Sequence, residues 1–181
     1  MRRHTRTFQI ALCGVLGALS VAILAMGGLL PLATYCAPML AGIALVPVLG
    51  ECPQKYGWMT WAAVSVLAVL LVPDRELSLV YALVLGPYPM LKRRIDRLGS
   101  AWVRTLCRLI VFNLAVLVCY GLLLVVFPLP GLMEEFTAGG ALLTAATLVT
   151  GNLAFLVYDA ALRAVAVLYA RRLRPLLRFL H

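Results

Sequence analysis

From Phe8 to about Leu30 the chain runs through apolar residues without a single charge. About 20 helical residues span the hydrocarbon core of a bilayer, so a run of this length points to a membrane. A basic start, Arg2, Arg3 and Arg6, precedes it, as in a secretory signal. The run is longer than the apolar core of a signal, and further apolar runs follow, so it reads as a first span. Composition supports this: 64% of residues are apolar and 13% charged. Soluble domains average about 45–50% apolar and about 25% charged. A water-soluble globule of this make-up would expose most of its Leu and Val, and a disordered chain needs low hydrophobicity. With 181 residues, the ceiling is about six or seven spans.

Five more apolar stretches follow. The second runs from about Leu32 to Leu49 and holds Pro38 and Pro47. The third covers about Tyr56 to Val72 and ends in the polar turn Pro73-Asp74-Arg75-Glu76. The fourth, about Leu77 to Leu91, is short and broken by Gly86-Pro87-Tyr88-Pro89. The fifth covers about Thr105 to Phe127 and stops at Pro128-Leu129-Pro130-Gly131. The sixth opens at Gly139-Gly140 and runs to about Ala170. Lipid cannot hydrogen-bond free backbone groups, and these runs lack the alternation of a barrel, so the expected fold is an all-α, six-transmembrane-helix bundle in a single domain over residues 1–181.

The basic residues set the orientation. If six spans are counted, 15 of the 16 Lys and Arg residues share one side, with Arg163 counted at its inner helix end. That side holds Lys55, the Lys92–Arg108 cluster and the Arg171–Arg178 tail, and Arg75 stands alone on the other. Basic loops stay cytoplasmic, so both termini are expected inside. The net charge of +9 then reports topology in a cell membrane rather than nucleic-acid binding.

A charge at the centre of a span costs about 2.5–3.5 kcal/mol. The sixth span carries Asn152, Asp159 and Arg163, whose spacings place them near one helix face. The reading is an intrahelical Asp159–Arg163 pair that neutralises itself, with a substrate or proton site as the alternative. Asn113 lies at similar depth and is expected to hydrogen-bond to Asp159. On the other side, Tyr35, Asp74, Arg75, Glu76, Glu134 and Glu135 cluster in the outer loops. Tyr81, Tyr120 and Asn152 lie in the outer or middle parts of the spans. These groups are expected either to be solvated loop charge and interface aromatics, or to line an outer cavity for a small flat ligand. In the first span Gly14, Ala18 and Ala22 recur every fourth residue, a smooth stripe along which another helix can approach. The partner is another helix of this chain or a separate subunit.

Five cysteines form no C-x-x-C pair, and the histidines, His4 and His181, are terminal. No metal site, disulfide framework or cofactor is expected. The nucleophile elbow and the phosphate-binding loop are both missing, and Glu134-Glu135 lacks the arginine and histidines of a membrane endopeptidase. An enzyme is not expected.

Several segments are similar to the substrate-binding S-components of energy-coupling factor (ECF) transporters. These are the stripe Gly14, Ala18 and Ala22, and the stretch Ala37-Pro38-Met39-Leu40-Ala41-Gly42 through Leu49-Gly50 to Lys55-Tyr56-Gly57. Ala82-Leu83-Val84-Leu85-Gly86, followed by the Lys92–Arg94 cluster, resembles the end of that family's fourth span. The resemblance implies capture of a vitamin-like molecule from outside by Tyr35, Asp74, Arg75, Glu76, Tyr81, Tyr120 and Asn152. It further implies docking of the first-span stripe on a membrane coupling subunit, with two ATPases driving delivery. The competing expectation is a membrane protein without a small ligand, acting as an assembly or interaction partner.

Overall fold

The computed structural model describes residues 6–30, 33–126 and 140–173. The positions of Arg2, Arg3, His4, Glu134, Glu135, Arg174, Arg178 and His181 lie outside the described residues. The described chain is helical, with no strand: α1 (Arg6–Gly27), α2 (Cys36–Ala44), α3 (Val46–Glu51), α4 (Gln54–Leu71), α5 (Arg75–Leu79), α6 (Tyr88–Ile95), α7 (Ala101–Val126) and α8 (Gly140–Leu168). Two π-helical turns, Val80–Leu85 and Tyr169–Leu173, follow α5 and α8.

Three segments are long and apolar enough to cross a membrane: Arg6–Gly27, Ala101–Leu123 and Ala146–Arg172. Their outward faces are apolar; Val15, Leu117, Val149 and Leu153 all stand exposed, as lipid-facing side chains do. Of the other stretches, the third is the continuous helix α4, and the second and fourth are interrupted. Cys36–Glu51 breaks at Leu45, where Pro47 opens α3 without an amide to donate. The Leu45 amide tightens back onto the Gly42 carbonyl at 3.3 Å.

The fourth stretch is interrupted for a reason that can be followed atom by atom. Pro89 has no N–H, so the Leu85 carbonyl loses its helical partner. The Gly86 amide bonds the Tyr81 carbonyl at 2.8 Å, one residue further back than in an α-helix, which strands the Ala82 carbonyl as well. Side chains of neighbouring helices take both places. The Trp61 indole donates to the Ala82 carbonyl at 3.2 Å, and the Tyr158 hydroxyl donates to the Leu85 carbonyl at 3.1 Å. Two glycines make room for this. A Cβ at Gly86 would meet the Tyr81 carbonyl oxygen at 2.6 Å, and a Cβ at Gly42 would run into the Tyr158 hydroxyl.

Two buried clusters flank the interrupted helix. One gathers Leu24, Ala41, Val64, Ala68 and Tyr81, where α1 meets α2 and α4. The other gathers Val84, Tyr88, Leu123, Phe155 and Tyr158, where the π turn and α6 meet α7 and α8. The Tyr88 ring sits edge-on to Phe155 with centroids 4.7 Å apart, and Phe155 stacks on Phe112 at 4.4 Å. The short helix α5 is started by Asp74, whose Oδ1 accepts the Leu77 amide at 3.1 Å, with Glu76 in the first turn facing the positive end of the helix dipole.

Candidate functional site

Polar side chains collect at two ends. Near the start of α5, the chain ahead of α2 brings Tyr35, α5 brings Glu76 and α7 brings Tyr120. Tyr35 donates to Glu76 Oε1 at 2.8 Å and Tyr120 donates to the same oxygen at 2.9 Å. The two hydroxyls lie 3.0 Å from each other. Three oxygens thus share two protons, so the trio has more acceptors than donors. The second Glu76 oxygen accepts nothing from the described residues. Burial lifts the Tyr35 hydroxyl above its ordinary pKa, and the Glu76 carboxylate adds to this, so the phenol stays protonated. Beside the trio, Thr34 donates to Asp74 Oδ2 at 3.3 Å.

The remaining residues expected at this site lie elsewhere. Arg75 folds back onto the end of α4 and donates to the Val69 carbonyl. Tyr81 is fully buried in the α1–α2–α4 cluster, and its hydroxyl finds no partner among the described residues. It lies away from the outer surface because it stands on the inward face of the interrupted helix. Asn152 faces Asn113 across α7 and α8. Asn113 donates to Asn152 Oδ1 at 2.9 Å, and Asn152 donates back at 3.2 Å. This corrects the expected Asn113–Asp159 bond: each amide satisfies the other and neither reaches the carboxylate.

At the opposite end Asp159 is buried, with 1% of its surface exposed. The expected Asp159–Arg163 pair is present at 3.0 Å. It is one bond of four. Tyr88 donates to Asp159 Oδ1 at 2.5 Å, Lys92 binds the same oxygen, and Arg108 binds Oδ2 at 3.0 Å. Arg108 also bonds Asp96, which lies 3.8 Å from Lys92. Lys92 and Arg108 are each only 8% exposed. So α6, α7 and α8 are tied by one carboxylate and three cations. Sequence reasoning placed Lys92 and Arg108 in the basic cluster that sets topology and gave neither a contact with Asp159. The missed signal is the cost of Asp159: a lone exposed Arg163 leaves much of a buried carboxylate unmatched, so more cations must reach it. Pro87 caps α6 and Pro89 stands in its first turn, so a new helix begins just ahead of Lys92.

The stripe on α1 has a definite placement too. Gly14, Ala18 and Ala22 face outward, whereas Gly17, Ser20, Leu24 and Gly27 face inward. A Cβ built at Gly14 meets nothing within 4 Å. Inward, Ser20 donates to the Ala41 carbonyl of α2 at 3.2 Å. Among the described residues, then, α2 and α4 pack on the other side of α1. No three Cys, His, Asp or Glu side chains converge as metal ligands among the described residues. No family model matches the chain, and neither a curated protein nor a solved structure matches it.

Proposed function

We propose that this chain is the substrate-capture subunit of an ECF-type importer, a six-span protein of the cell membrane with both termini in the cytoplasm. The observation that carries the reading is the outward stripe Gly14, Ala18 and Ala22 on α1. A flat face of small residues with no described helix against it suits close approach by a helix of a second membrane subunit. The Tyr35–Glu76–Tyr120 trio at the other end supports a ligand site facing outward. Its surplus acceptors favour a ligand that brings N–H or O–H donors. The coupling subunit and its ATPases supply the energy, and the inner arginines hold the orientation against anionic lipid.

The test is purification of the tagged protein from its own membranes. The wild type is expected to bring down a membrane subunit and an ATPase and to retain a small molecule. Ala18→Leu should lose the subunits without lowering the melting temperature, since the position is exposed. Glu76→Gln should lose the small molecule and keep the subunits. A wild type that carries neither overturns the proposal. The second reading, an interaction partner with no ligand, is favoured by the mutual bonding of Tyr35, Glu76 and Tyr120. It predicts subunits retained with no small molecule.

A further inference from the structure

We propose that the cleft at the basic end of the bundle holds the headgroup phosphate of one anionic phospholipid from the inner leaflet. The cleft encloses about 400 Å³ between α3, α6 and α8. Its lining is mixed: Leu49, Leu162 and Val167 are apolar, Lys92, Arg93 and Arg163 basic, and Glu51 and Asp96 acidic. A soluble anion has no use for the apolar lining, whereas an acyl chain can lie against it while its phosphate reaches the cations.

The charges leave room for one anion. Lys92, Arg93, Arg108 and Arg163 face Glu51, Asp96 and Asp159: four cations against three carboxylates leave one positive charge. A phosphodiester carries one negative charge. Arg93 is the free cation of the set, exposed and in no ion pair among the described residues. Arg163 spends part of its guanidinium on Asp159, and 58% of its side chain is still exposed. Two guanidinium groups from different helices, α6 and α8, are thus presented to one cleft, the arrangement in which Arg grips phosphate. The inference rests on the membrane reading and on this end lying inside, and it is independent of transport.

The experiment embeds the whole protein in nanodiscs of equal phosphatidylglycerol and phosphatidylcholine and reads retained lipid by native mass spectrometry. One phosphatidylglycerol is expected on the wild type. Arg93→Glu should weaken its retention roughly thirtyfold, the effect of moving two charge units at a lipid surface. Arg97→Glu makes the same charge change on an exposed residue outside the cleft and should leave the adduct in place. Ala166→Trp fills the cleft without altering charge and should expel the lipid. Equal retention of phosphatidylcholine, equal loss in Arg97→Glu, or retention in Ala166→Trp each overturns the site. Displacement of the lipid by free glycerol phosphate overturns the lipid assignment in favour of a soluble phosphate.

Discussion

Asp159 shows how one buried carboxylate organises its surroundings. A lone charge at this depth is unfavourable, and four donors from three helices answer it. They do not contribute equally. Lys92 and Arg108 are buried, so removing Asp159 leaves two buried cations with only the partly exposed Asp96, whereas the Arg163 side chain is 58% exposed. Asp159→Asn keeps the shape and removes the charge. It is expected to destabilise the bundle by about 3–5 kcal/mol, the cost of breaking a buried ion pair from one side. Arg163→Ala is expected to cost at most about 1 kcal/mol, as an exposed pair does. Unfolding in detergent, followed by tryptophan fluorescence, separates the two. Equal losses would show that the four bonds act as one unit.

At the scale of elements, the interrupted helix carries the most information. Its break was legible: Gly86-Pro87-Tyr88-Pro89 cannot continue an α-helix. The π turn before it was not, because a one-residue shift in hydrogen bonding leaves the apolar pattern unchanged. Nor did the sequence reveal which side chains take the freed carbonyls. Trp61 and Tyr158 are distant in the chain, and each reads alone as an ordinary core aromatic. Similarly, three of the six expected spans turn out as long apolar helices; Pro47 and Pro87 divide the second and fourth, while the third forms the continuous helix α4, whose first residues, Gln54 and Lys55, are polar. Gly86→Ala is expected to cost about 1–3 kcal/mol, since its Cβ would meet the Tyr81 carbonyl and Trp61 ring at 2.6 and 2.8 Å. Gly14→Ala, in open space on α1, is expected to be neutral or slightly stabilising. Melting temperatures of the two variants check the contrast.

For the whole molecule, the arrangement of charge was read from sequence as a statement about sidedness, and the structure adds a second use. Lys92 and Arg108 belong to the basic end and also close the interior around Asp159. Counting charges along the chain cannot separate these uses, because it does not see which basic residue turns inward. Sidedness has a direct test in Cys36, which is exposed next to Tyr35. Cys52 is buried at the other end, and burial pushes its thiol up to about 12, so it stays protonated and unreactive. A variant keeping only Cys36 is expected to take a membrane-impermeant maleimide in intact cells. Labelling only after the cells are opened would reverse the orientation.

The reciprocal Asn113–Asn152 bonds bear on how the chain enters a membrane in the first place. Each amide alone makes its own helix less willing to leave the insertion channel for lipid. Bonded to each other, the two amides are satisfied within the α7–α8 pair. On the membrane reading, α7 and α8 are expected to enter lipid together rather than in turn. Replacing one asparagine by leucine would strand its partner and delay insertion, while replacing both would free each helix to enter alone.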